Sequence, residues 1–227
     1  MEAVPFVIFV LVIIVFIVLS AYFAGKRRKE LMEWAHSKSL SFEPSKHKNI
    51  DDQYPDFKCF RQGSNRYAEN VMRGSWSEKP ILAFDYHYET HSTNSKGQRQ
   101  THHHRFSAII VGSDLVLKPL FIRPEGFFDK ITEFVGFDDI DFESAEFSRK
   151  FYVKADDRRW AYDVIHQRTM EFLLDRPQFT IQFAGRDVLV HRSSRFSIQQ
   201  FEQALEIASG ILDRLPDYLV KQMKEGN

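Results

Sequence analysis

Five histidines crowd one stretch of this chain: His87 and His91, then His102, His103 and His104. Imidazole is a favoured zinc ligand, and zinc takes a tetrahedral set of N, O or S donors. Whether these rings converge depends on the strand faces they occupy. Leu82, Phe84, Tyr86 and Tyr88 alternate with Ala83, Asp85, His87 and Glu89. Phe106, Ala108 and Ile110 share one parity. Period-two alternation marks half-buried strands, and the polar run Ser92 to Gln100 joins them as a long-looped antiparallel hairpin. Setting Phe84 against Ala108 and Tyr86 against Phe106 matches the apolar faces and puts Tyr88 opposite His104. His87, Glu89, His91 and His103 then share the polar face, while His102 and His104 take the other. A slip of one residue would expose Phe106 and Ile110. A four-histidine site is therefore disfavoured. The metal set this register allows is His87, His91 and His103, against the plainer reading of an exposed polar hairpin tip.

The remaining chemistry is thin. Asp138, Asp139, Asp141, Glu143 and Glu146 lack the Asp-x-Asp-x-Asp-Gly loop of a calcium site and read as a solvated acidic segment. Cys59 is the single cysteine, so no internal disulfide forms, and it reads as a small core or edge residue. There is no Gly-rich phosphate loop, His-Glu-x-x-His, Gly-x-Ser-x-Gly, kinase set or paired-cysteine motif. Triad partners converge only in space, so none can be fixed from spacing. No catalytic residue and no cofactor site is assigned.

The element that positions everything else lies at the N-terminus. Val4 to Gly25 is one uninterrupted apolar run, followed by Lys26, Arg27, Arg28 and Lys29. Roughly 20 such residues cross a bilayer as a helix. A cleaved signal fits poorly, because the run is too long and Tyr22 stands where cleavage requires a small residue. A buried globular helix would show a polar face. The expected organisation is a transmembrane helix with a short tail over 1–25, a basic juxtamembrane helix over 26–40 and a soluble domain over 41–227, with a sub-division near 137–146 left open. Basic residues follow the span and none precede it, which predicts a single-pass inner-membrane protein with its N-terminus outside and its domain cytoplasmic. A lone cysteine agrees with a reducing compartment. Lys26, Arg27, Arg28 and Lys29 are expected at the membrane surface, each contributing about 1 kcal/mol against anionic headgroups. With 31 basic and 31 acidic residues the chain lacks the cationic excess of a nucleic-acid binder. The expected partners are the lipid bilayer and another protein; the oligomeric state is left open.

The soluble part reads as α+β, with mostly antiparallel sheet packed by amphipathic helices. Glu30 to Leu40 extends the span as a helix with Leu31, Trp34 and Ala35 on one side, and Trp34 either meets the headgroups or packs on the domain. Ser41 to Asn65 reads as irregular, with a short strand and a helical turn at Asp51 to Phe57. Beyond the hairpin, the pattern predicts a strand over Asp114–Ile122, a helix from Pro124 to Gly136, and an irregular segment to Ser144. It then predicts a strand over Phe147–Val153 and a helix from Asp156 or Asp157 to Leu174. Two short strands follow, Phe179–Phe183 and Asp187–His191. Ser197 with Gln200 forms a capping box for a last helix reaching Leu215.

Two stretches carry a resemblance. One is Asn70-Val71-Met72-Arg73-Gly74 leading into Ala83-Phe84-Asp85-Tyr86-His87-Tyr88-Glu89-Thr90. The other is Phe142 to Val153, followed by Asp156, Ala161 and Met170-Glu171-Phe172-Leu173-Leu174. Over roughly 66–191 the chain resembles uncharacterised bacterial membrane-anchored proteins with one N-terminal span and a cytosolic α+β body. That resemblance implies a fold and an anchor but no catalytic residues. Two functions follow from the whole: a cytosolic binding or interaction module, or a membrane-tethered, metal-dependent enzyme at the histidine hairpin. A deep cleft with convergent polar groups would favour the enzyme.

Overall fold

The computed structural model describes residues 3–126 and 140–225. Helix α1 (Ala3–Ser37) is unbroken. From Phe6 to Phe23 its large apolar side chains are all exposed, and among the described helices it is the one long and apolar enough to cross a bilayer. Its last three turns change character. Leu31, Trp34 and Ala35, spaced by three and four, form a buried stripe. The Trp34 ring lies 5.3 Å from that of Phe201, so this indole packs on the domain. Burying Leu31 contributes roughly 1.5–3 kcal/mol, whereas Trp34 buries its indole N–H without a hydrogen-bond partner, which offsets part of its gain. The helix closes through a left-handed Ser39 (φ 57), with Leu40 N–H donating to Ala35 O and Ser39 N–H to His36 O. Leu40 is buried beneath this Schellman turn.

Among the described residues six strands form one antiparallel sheet: β1 (Ser41–Glu43), β2 (Ser64–Trp76), β3 (Lys79–Thr93), β4 (Arg99–Pro124), β5 (Phe151–Ala155) and β6 (Thr180–His191). β1 to β4 lie side by side in that order. β4 is long enough to pair with β3 over its first half and with β5 over its end, while β6 pairs along its other side. The β3–β4 register is Phe84 to Ala108, Tyr86 to Phe106 and Tyr88 to His104, as the hydrophobic pattern requires. Leu82, Phe84, Tyr86 and Phe106 face a small core closed by Ile50 of helix α2 (Ile50–Gln53), by Phe57 and by Phe60 of a 3-10 turn (Lys58–Arg61), where Tyr86 Oη donates to Phe60 O at 2.6 Å. Cys59 is buried there. Ile81, Ala83, Ile109 and Val111 face the larger core, with α1 and the long helix near the C-terminus.

Several elements depart from the periodicity reading. Phe147 lies on helix α3 (Ala145–Lys150), capped by Ser144 Oγ accepting Phe147 N–H, and the strand begins only at Phe151. The helix expected up to Leu174 is two helices, α4 (Arg158–Val164) and α5 (Gln167–Leu174), parted where His166 Nε2 lies 2.9 Å from Arg214 O. The strands on either side of Gly185 are one strand, because Gly185 takes φ 58 and register shifts absorb the bend. Asp114–Ile122 is likewise the continuation of β4. β2 escaped the pattern because two irregularities break its alternation at Asn65 (φ 48) and Asn70 (φ 53). The helix expected from Pro124 to Gly136 does not begin there, since Pro124 ends β4 and a turn follows at 125–126, and its remainder lies outside the described residues. Helix α6 (Ile198–Leu212) carries the expected Ser197–Gln200 capping box, and α7 (Asp217–Glu225) follows Pro216.

Candidate functional site

The polar side of the β3–β4 ladder meets α1 where the apolar run ends. Asp85 occupies an inward position, 1% exposed, and a carboxylate there requires a partner. Arg27 supplies it: Nε donates to Asp85 Oδ2 at 2.7 Å and Nη2 to Oδ1 at 2.6 Å. Asn70 Nδ2 donates to Oδ2 at 3.1 Å and Ser107 Oγ to Oδ1 at 2.5 Å. The third guanidinium nitrogen, Nη1, donates to Phe196 O at 3.0 Å. Both carboxylate oxygens are thus doubly satisfied, the condition under which a buried ion pair recovers its desolvation cost. Of the four basic residues after the apolar run, Arg27 turns inward and Lys26, Arg28 and Lys29 stay exposed. Lys26 and Lys29 make long i,i+4 contacts with Glu30 (4.0 Å) and Glu33 (3.8 Å), which stabilise little in water.

Further along the same face come His87 opposite Arg105, Glu89 opposite His103, and His91 opposite Thr101. Arg195 lies beside the clamp, next to Phe196. Burial and the neighbouring Arg27 and Arg105 charges push its pKa down. His87 is buried, its ring stacked on Tyr67 at 4.5 Å. Its Nδ1 lies 3.1 Å from Asn65 O, which can only accept, so the proton sits on Nδ1 and Nε2 presents a lone pair. Burial lowers the His87 pKa and keeps the ring neutral at pH 7. That Nε2 meets His103 Nδ1 at 3.1 Å, and His103 Nδ1 lies 3.4 Å from Glu89 Oε1. Glu89 in turn accepts from Asn65 Nδ2 at 2.6 Å, the main cause of its lowered pKa. Asn65 therefore holds both His87 and Glu89 from one bulged, left-handed position.

Two of the three histidines read from the sequence come together, His87 and His103. His91 bonds elsewhere, with Nε2 3.1 Å from Ser64 Oγ and Nδ1 3.1 Å from Thr101 Oγ1. Glu89 is the third member of the cluster, and all three ligand atoms lie within 4.8 Å of one another. His102 and His104 occupy the opposite face, bonded to Ser92 and Thr90. They line a half-open groove of about 850 Å³ with Tyr88, Phe106, His191 and Arg192. Its polar lining is imidazole, guanidinium and hydroxyl, and includes the Ser92–His102 and Thr90–His104 pairs at 2.8 Å each. Sequence reasoning missed the Arg27–Asp85 pair and Asn65. An Asp at an inward parity beside Ala83 was the available signal for the first; no pattern announces the second.

No protein-family model matches the chain, and no curated protein matches its sequence. Among solved structures, the crystal structure of the mycobacterial trehalose monomycolate transport factor A, TtfA, is similar. The TM-score is 0.61 at 14% identity, covering 83% of this chain and 96% of that one. At that identity the likeness is one of fold: an α+β domain with a mostly antiparallel sheet, here preceded by one long apolar helix suited to membrane anchoring.

Proposed function

We propose that this protein is a single-pass, non-enzymatic membrane factor whose cytoplasmic domain binds a protein partner at the bilayer surface. The observation that carries this reading is the Arg27–Asp85 clamp. A tethered enzyme needs only a flexible leash, whereas here the exit of the apolar helix is bonded into the centre of the sheet, so span and domain move together. A rigid joint of that kind suits a part that must hold one orientation against another membrane component. The fold likeness to a protein named a transport factor supports the same class of role, an accessory to transport, since a single span encloses no path of its own. The charge asymmetry around the apolar run supports a cytoplasmic domain. Lys26, Arg28 and Lys29 are the residues proposed to meet anionic headgroups, with Arg27 committed to Asp85.

The test is crosslinking in intact membranes followed by affinity purification. The wild type is compared with an Arg27→Ala/Asp85→Ala chain and with one lacking residues 1–29. The expected result is a defined protein partner captured by the wild type and lost in both variants. Equal capture by all three would refute the coupling of span to domain. A C-terminal tag labelled from outside intact cells would refute the orientation.

A further inference from the structure

We propose that His87 Nε2, His103 Nδ1 and the Glu89 carboxylate form a binding site for a divalent transition metal of the zinc type. A tetrahedral ion with bonds of about 2.0–2.1 Å sets its ligand atoms roughly 3.3 Å apart. The His87–His103 and His103–Glu89 separations are 3.1 and 3.4 Å and all three ligand atoms lie within 4.8 Å of one another, so the set closes on the ion by side-chain movement. Two imidazoles and one carboxylate form a zinc-type donor set, and one poorly suited to calcium or magnesium, which favour all-oxygen shells.

What distinguishes this cluster from a chance meeting of polar groups is its support. Metal-bound histidines ordinarily donate their second ring N–H to a carbonyl or carboxylate, which fixes tautomer and orientation. Asn65 O does this for His87, and the Asn65 amide grips Glu89 as well, so one bulge residue holds two of three ligands. His103 is the exposed member, with a side chain 56% exposed, and it frees Nδ1 by carrying its proton on Nε2 in solvent. The fourth position falls to water on that open side. Arg105, opposite His87, opposes the ion's charge, and Glu89 offsets it. An ion bound here ties β3 to β4 beside the Arg27 clamp.

The test uses the full chain in detergent micelles, purified without a histidine tag and titrated with zinc chloride by calorimetry. Cobalt(II) absorbance is the second readout, because a tetrahedral cobalt site gives intense visible bands. One zinc per chain is expected. His103→Ala, at an exposed position, should weaken binding at least 100-fold and abolish the cobalt bands. Asn65→Gly, which keeps the left-handed backbone, should weaken it about 10- to 100-fold, and Glu89→Gln, which removes a charged ligand, at least as much. His91→Ala and His102→Ala/His104→Ala should bind as the parent does. Absence of heat and of cobalt bands in the parent would overturn the proposal. So would binding that survives His103→Ala or that depends on His91. None of these outcomes bears on partner capture, so this site and the anchoring role fail separately.

Discussion

Replacing Arg27 by alanine removes two charge-assisted bonds from a carboxylate 1% exposed, leaving Asp85 with only Asn70 and Ser107. Breaking a buried pair from one side costs about 3–5 kcal/mol, most of it the desolvation of the charge left behind. Two surviving hydrogen bonds put Arg27→Ala toward the lower end. Asp85→Asn should cost less, because the Arg27 side chain is 19% exposed and can turn its guanidinium to water. At roughly 2–4 °C per kcal/mol for a body of this size, Arg27→Ala should lower the midpoint by about 6–12 °C. Thermal unfolding of the full chain in micelles, followed by tryptophan fluorescence, reads this directly, since Trp34 lies two turns below the clamp. An Arg27→Leu/Asp85→Leu chain should recover much of the loss, as apolar replacement of a buried pair commonly does, and a cycle of Arg27→Ala, Asp85→Ala and their double mutant isolates the pair. A coupling below about 0.5 kcal/mol would place the pair with ordinary surface bridges and refute the reasoning.

Gly210 tests packing against propensity. Alanine in place of an interior helical glycine gains up to about 1 kcal/mol, yet a Cβ here would collide with the Phe172 ring. That ring is buried and has the guanidinium groups of Arg176 (3.7 Å) and Arg214 (3.9 Å) over it, contacts that a shift would disturb. Gly210→Ala should therefore destabilise by about 1–3 kcal/mol in urea unfolding, and a stabilised variant would refute the packing. Buried His191 accepts from Gln182 at 3.2 Å, and burial pushes its pKa down to about 4 from 6.5. The unfolded chain thus takes up a proton that the native state refuses, and stability falls from pH 6.5 toward 4, by up to roughly 3 kcal/mol, then levels off. His87 adds to the same trend. His191→Gln should flatten that part of the curve, and an unchanged slope would count against it. Ser197→Ala removes the Oγ that accepts Gln200 N–H and should cost about 1 kcal/mol, read as a lower urea midpoint at unchanged slope.

Local chemistry made some of this protein legible in one dimension. An uncharged apolar run declares a span because length and hydropathy suffice, whatever lies beyond it. The hairpin register was readable because aromatic residues at one parity leave a single pairing that buries them all. The Ser197–Gln200 box was readable because a cap is satisfied within four residues. Elsewhere the answer lay in contacts distant along the chain. Phe147 fits a strand by its spacing from Phe151 and Val153, but the Ser144 cap starts a helix there. β2 hides because its two left-handed asparagines break the alternation that would announce it, and one of them, Asn65, organises the histidine cluster. Trp34 suits either a headgroup layer or a core, and only Phe201, far along the chain, decides between them. Arg27 is the plainest case: among four adjacent basic residues nothing local separates it from its neighbours. Helical phase turns it toward the sheet, and the buried charge of Asp85, 58 residues away, decides its partner.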